Sequence, residues 1–281
     1  MTAHGEKKHK EQVHIPALTD PRWDGLPRWL VGIDDTDNLE SRGTGFRARQ
    51  LALQLQQTGK ARLACVTRHQ LLVSPEIPYT SHNSSACLAL DFAPADLDEV
   101  REFCRQYLLR ESAPGSDAGL CIAAAAHVSD AITAWGRRAQ REVLTIADSH
   151  ALAERERVYL EGLTGTRQGV IGALSAIGLH RSRDDGRFLW MRGVRDLSPG
   201  TYSVGNLKSR TDIERFETLA GQEVLAEDAL VCITEWARPV FRRGHAVLLV
   251  EPEIPESQSH AQSVVEPSRW RVAAKDVIKR F

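Results

Sequence analysis

A chain of 281 residues that is 42% hydrophobic is long enough for one large or two modest cored domains. Lys and Arg (36) nearly balance Asp and Glu (37), for a net charge of −1. That balance argues against a dedicated nucleic-acid binder, whose affinity rests on phosphate neutralisation. No apolar stretch approaches the ~18 residues of a membrane span, and the N-terminus lacks a signal peptide's apolar core. The five cysteines, Cys65, Cys87, Cys104, Cys121 and Cys232, show no Cys-x-x-Cys spacing and sit among apolar neighbours. They read as reduced core residues of a cytoplasmic protein with no membrane partner.

Residues 1–28 read as a flexible polar N-terminal arm. Leu30-Val31-Gly32-Ile33 is a buried-strand pattern that ends in Asp34-Asp35-Thr36-Asp37 and a turn at Arg42-Gly43-Thr44-Gly45. Along an extended chain Asp35 and Asp37 share one side and Asp34 faces the other, but a bend at the strand end lets all three converge. Clustered carboxylates need a cation or several N–H donors. Mg²⁺ completed by water and phosphate oxygens fits that need, and so does a solvated acidic turn that caps the next helix.

Phe46, Ala48, Leu51, Ala52 and Leu55 then recur at helical spacing. Strands are expected at 61–67, 70–74 and 86–92, a helix at 96–109, a buried strand at 119–125 and long helices over 129–162. Beyond lie a Gly-rich turn, a helix at 170–177, strands near 187–194 and 201–205, a helix near 211–220, and strands near 229–234 and 246–250. The pattern predicts an α+β protein: a layered sheet/helix nucleotide-binding domain at 29–162, then a ferredoxin-like α+β domain at 163–252. Residues 253–281 read as a linker and a basic amphipathic helix with Trp270, Ala273, Val277 and Phe281 on one face. Such a tail docks back on its own domain or meets a membrane, RNA or a partner.

Gly165-Thr-Arg-Gln-Gly169-Val-Ile-Gly172 opens a helix. Its exposed amides suit a phosphate, and close helix packing through Gly172 and Gly178 explains it equally. Arg42 and Arg47 flank the acidic cluster, where they can clamp phosphates or neutralise aspartates. Arg238, Arg242 and Arg243 form either an anion patch or a solvated face.

Three stretches in order resemble a known family, the archaeal tRNA-isoleucine agmatinylcytidine synthetases. These are Gly32-Ile33-Asp34-Asp35-Thr36-Asp37, Ile77-Pro78-Tyr79, and Gly169-Val-Ile-Gly172-Ala-Leu-Ser-Ala-Ile-Gly178. A fainter match is Val231-Cys232-Ile233 with Arg238-Pro239-Val240, near the end of that family's ferredoxin-like domain. The resemblance implies ATP and Mg²⁺ as cofactors, phosphoryl activation of an acceptor and displacement by an amine. It implies Asp34, Asp35 and Asp37 as catalytic and metal-binding residues. Gly32, Thr36, Arg42, Gly43, Thr44, Gly45, Gly169 and Gly172 would contact the nucleotide, and Tyr79, His82, Asn83 and Arg238 the substrate.

The departures from the family are specific. Phe46 stands where the family has a phosphate-accepting threonine, with Thr44 two residues earlier. His82-Asn83-Ser84-Ser85 replaces an Arg-Gly-Asn-Gly segment, and the chain ends about where an OB-fold and zinc ribbon would begin. The expectation is therefore an ATP- and Mg-dependent ligase or kinase-like enzyme that acts on a nucleotide and a small amine and binds tRNA weakly. The alternative is a nucleotide-binding accessory or regulatory protein without turnover.

Overall fold

The computed structural model describes residues 24–25, 28–77, 83–253 and 269–281. Most of the expected N-terminal arm, most of the linker, Tyr79 and His82 lie outside the described residues. The first half of the chain forms β1 (Arg28–Asp34), α1 (Thr44–Gln57), β2 (Arg62–Gln70), β3 (Ser84–Asp91), α2 (Leu97–Glu111) and β4 (Gly119–Ala124). Next come α3 (Asp130–Ala139), α4 (Ile146–Glu156), β5 (Tyr159–Gly162), α5 (Gly169–Ser182) and β6 (Arg187–Met191). The remainder gives β7 (Gly200–Ser203), α6 (Val204–Arg210), β8 (Arg215–Glu217), β9 (Leu230–Ile233), β10 (Val240–Arg242), β11 (His245–Pro252), β12 (Arg269–Val272) and α7 (Lys275–Ile278).

The α+β class holds: the strands hydrogen-bond in the order β5-β4-β1-β3-β2-β6-β10-β11-β12-β9-β7, with β8 alongside β11. Side-chain alternation along β1 organises the layers. Trp29, Val31 and Ile33 pack with Ala48, Leu51 and Leu55 of α1 and Val100 and Leu108 of α2. Leu30 lies on the opposite face, in the apolar cluster that holds Ile132 and Trp135 of α3 and Ala173 and Ile177 of α5. β1 is therefore buried on both sides, which is why it reads as an unbroken apolar run.

The boundary expected near residue 162 crosses continuous structure. β5 pairs with β4, α5 packs against β1, β3 and β4, and β6 extends the sheet from β2. The strand expected at 70–74 is not separate, since β2 runs unbroken to Gln70. The helical run expected over 129–162 is two capped helices followed by a strand. Ser129 Oγ accepts the Ile132 N–H at 3.3 Å, and Thr145 Oγ1 accepts that of Asp148 at 3.1 Å, so each side chain starts its own helix.

The helix expected at 211–220 lies earlier, as α6, with Ser203 Oγ accepting the Asn206 N–H at 3.1 Å. Residues 215–217 instead pair in parallel with β11. β10 went unnoticed because three residues carry no periodic signal. The expected C-terminal helix is corrected most. Residues 269–272 form β12, inserted between β11, antiparallel, and β9, parallel, with Trp270 3% exposed. Ala273 and Ile278 then pack on Val240, Val247 and Leu249, so the tail docks on its own domain.

Candidate functional site

Close packing of β1 against α5 creates the site. A Cβ on Gly32 would overlap the Ala173 carbonyl, and one on Gly169 would overlap the Asp117 carbonyl and the Gly119 amide. Only glycine allows backbones to approach this closely. Two residues beyond Gly32 on the same strand face, the Asp34 carboxyl lies directly over Gly172, where a Cβ would overlap it. Of the two readings of the glycine stretch, close packing is met at Gly172 and at Gly178, where a Cβ would overlap the Ile132 carbonyl, while Gly169 and Gly172 also line the cleft.

That cleft brings together Asp34, Asp35, Asp37, Thr44, Asn83 and the start of α5. Asp34 forms its floor. Part of its surface opens to the cleft, while protein mass surrounds the rest. Desolvation, with repulsion from Asp35, pushes its pKa up to about 8. Asp35 leaves the strand in the left-handed region at φ 51°, an uncommon conformation for a non-glycine residue. Its pKa is raised to about 6 by desolvation and by repulsion from Asp117 and Asp37, against a hydrogen bond from the Asp117 backbone N–H.

Asp37 is used differently. Its Oδ1 accepts the Thr44 N–H at 2.9 Å and the Thr44 hydroxyl at 2.7 Å. Thr44 Oγ1 in turn accepts the Thr36 N–H at 3.1 Å. A carboxylate therefore already occupies the positive end of α1, where the resemblance places a phosphate. Among the described residues no three His, Cys, Asp or Glu side chains are grouped to hold a metal. The three aspartates are neighbours rather than a cage.

The other expected contacts are dispersed. Thr36 is fully buried, and Gly32 is sealed under α5. Gly45 packs on Leu189. Gly43 precedes α1, in whose first turn its carbonyl accepts the Phe46 N–H at 2.8 Å. Arg42 stacks over Phe46 at 4.5 Å, and Arg238 over Trp236 at 4.8 Å beside a separate pocket. Asn83 lines the cleft but also ties the turn, its Nδ2 donating to the Leu72 carbonyl at 2.7 Å. The expected core cysteines are confirmed in four cases, while Cys232 is half-buried. Burial pushes the thiols of Cys65 and Cys104 up to about 12.

Several neighbours escaped the sequence reading. Asp117 lies beside Asp35 because Asp34 pairs with Gly119 across the β1–β4 ladder, and its Oδ1 accepts the Thr166 N–H at 2.6 Å. Its only signal was an aspartate just before a second apolar strand, which becomes meaningful once the two strands are known to be antiparallel. Arg68, which donates to Ser84 Oγ at 2.8 Å, faces the cluster. Burial and Arg187 lower its pKa to about 10, while Asp37 and Asp34 oppose that shift. Glu76 and Glu142 add further carboxylates to the cleft wall. No helix among the described residues is long and apolar enough to cross a membrane.

No family model matches the chain. An uncharacterized protein of Methanocaldococcus jannaschii is 26% identical over 156 residues, 55% of this chain and 50% of that protein. The chain thus spans about half the length of the curated relative it matches. Among solved structures, apo TiaS, a tRNA agmatidine synthetase, is 20% identical over 54% of this chain and 35% of its own, with a TM-score of 0.45. The complex of TiaS with its tRNA and ATP gives 20%, 54%, 36% and a TM-score of 0.46. Likeness at this level carries no weight for chemistry.

Proposed function

We propose that the chain is an ATP- and Mg²⁺-dependent enzyme of the ligase or kinase type, similar to the catalytic half of an agmatinylcytidine synthetase. The observation that carries this reading is the acidic cleft at the end of β1. There two desolvated carboxylates, Asp34 and Asp35, the second on a strained turn, sit beside Asp37 and Asp117. Arrangements of that kind concentrate at functional sites.

The donor set fits a hard cation shared with a ligand and does not fit an all-protein cage. Mg²⁺ characteristically takes one or two carboxylates and completes its shell with water and phosphate oxygens. Asp35 would hold it, with Asp34 beneath and Asp117 beside it, and when bound it would neutralise charge on the phosphates. Arg68 would approach the same phosphates. Glu76 and Glu142 suit an amine as second substrate, which would displace phosphate from an activated acceptor. Thr44, whose hydroxyl donates to Asp37, has the geometry of a nucleophile beside its base. It stands in for the threonine that Phe46 replaces. Binding of tRNA would be weak at the chain's net charge of −1.

One observation favours the accessory reading, a protein that binds nucleotide without turnover. Asp37 fills the N-terminal end of α1, and that end would have to open to accept a phosphate. Calorimetric titration with Mg-ATP, paired with product analysis in the presence of an amine, distinguishes the two. Asp35→Asn should weaken Mg-ATP binding at least tenfold, about 1.4 kcal/mol. Unaltered binding would sink the nucleotide reading, and binding without ADP or AMP formation would select the accessory one.

A further inference from the structure

A second cavity, of about 810 Å³, opens at the far end of α5. The helix spans 14 residues, so its two ends lie roughly 20 Å apart at 1.5 Å per residue. The acidic cleft sits at its N-terminus, and this cavity receives His180 and Arg181 from its C-terminus. Leu30, Cys65, Phe188, Met191, Phe241 and Ala246 supply an apolar floor.

The rim is cationic. Five arginines stand against three carboxylates, and every carboxylate is already paired. Asp91 takes both Arg28 and Arg62, Asp212 takes Arg192, and Glu214 takes Arg183 at 3.2 Å. Arg181 is exposed and has no ion-pair partner among the described residues.

A buried polar chain ends at the same cavity. Asp185 Oδ1 lies 2.8 Å from His69 Nδ1. His69 Nε2 lies 2.9 Å from Thr67 Oγ1, which is 2.8 Å from His180 Nδ1. Thr67 and His69 are fully buried, and His180 is 8% exposed. Burial and the neighbouring His69 hold the His180 imidazole well below its ordinary pKa, so it is neutral. The Thr67 hydroxyl thus bridges the two imidazoles, and Asp185 anchors the far end of the chain. His180 Nε2 has no hydrogen-bond partner among the described residues and is open to a polar group in the cavity. The chain holds the His180 ring in place much as a carboxylate orients a catalytic imidazole.

We propose that this cavity is a second ligand site, for a small organic anion with an apolar body and a polar group that hydrogen-bonds to His180. The floor takes the body, Arg181 and the surplus rim charge take the anion, and His180 Nε2 meets the polar group. The volume lies in the range of small-molecule sites. This proposal stands independently of the nucleotide reading.

1-Anilinonaphthalene-8-sulfonate combines a flat apolar body, an anion and an N–H, and serves as the probe. Titrated into the full chain, it should fill one saturable site and be displaced by decanoate, but not by decyltrimethylammonium or Mg-ATP. Arg181→Glu, at an exposed position, should weaken it at least fivefold, and Ala246→Leu should do so by narrowing the floor. Absence of saturable binding, equal displacement by the cationic competitor, or full affinity in Arg181→Glu would overturn the proposal. Displacement by Mg-ATP would place the probe in the acidic cleft and overturn it equally. Should Ala246→Leu fail to fold, the Arg181 variant and the two competitors still decide the matter.

Discussion

Replacing Asp34 by Asn should stabilise the protein at pH 8 and abolish most of the stability loss that the native chain shows as pH rises above 4. The carboxyl titrates near 3.8 in the unfolded chain and near 8 at the floor of the cleft. Between those values the folded chain keeps a proton that the unfolded chain has already released. Stability therefore falls as pH rises through that window and levels off above it. A window of about four pH units at about 1.4 kcal/mol each sets an upper limit of roughly 6 kcal/mol. Water that reaches the open side of the carboxyl will screen part of this, so about 2–4 kcal/mol is expected. Asn keeps the shape and an acceptor for the Asp35 N–H, and it has no charge to desolvate. Urea unfolding at a series of pH values from 4 to 9 measures the effect. The native curve should decline throughout that window. The Asp34→Asn curve should flatten above about pH 6, where Asp35 finishes its own titration. Parallel curves, or a variant less stable than the native chain at pH 8, would refute the claim that Asp34 is held protonated by its surroundings.

Gly172→Ala should destabilise strongly, by about 2 kcal/mol or more on the scale of core overpacking, because its methyl must displace the Asp34 carboxyl. Asp34→Ala in the same chain should restore much of the loss, and thermal melts of the single and double variants test this. Asp37→Ala removes the carboxylate that caps α1 and should cost about 1–2 kcal/mol, measured by denaturant midpoint. Trp270→Ala should cost about 3–5 kcal/mol, since this tryptophan fills the strand that joins β11 to β9. A midpoint unchanged by that substitution would mean that the tail is a loose appendage.

The floor of the site was legible because it is written in one short stretch. An apolar run that stops at three aspartates marks a strand end, and the structure puts Asp34, Asp35 and Asp37 around one cleft. What each aspartate does there was not legible. Alternation does not carry past Asp34, because β1 ends there and Asp35 leaves in the left-handed region, and only the packing of α5 on β1 explains why Asp34 sits over Gly172. Asp117 is 82 residues from Asp35 in the chain and meets it through β1–β4 pairing, which no local pattern encodes. The tail misled for a related reason. Trp270, Ala273, Val277 and Phe281 satisfy a helical period, but β12 is only four residues long. Its identity comes from the two strands that flank it.

The acidic cluster and the glycines have a single physical origin. Bringing a helix backbone onto a strand closely enough to need glycine at 32, 169 and 172 leaves no room for side chains between the layers. Whatever follows Gly32 on that strand face must then lie in a narrow, poorly hydrated slot. Asparagine would satisfy that slot's shape and hydrogen bonding without the cost of desolvating a charge. Asp34 has that cost, and so does Asp35 beside it, whose left-handed turn adds strain. Asp37 does not need the same explanation, because its carboxylate is answered by the Thr44 N–H and hydroxyl. A cap accounts for Asp37, and packing accounts for the glycines. The pair Asp34–Asp35 is what neither explains, so the functional argument rests on those two carboxylates rather than on the motif as a whole.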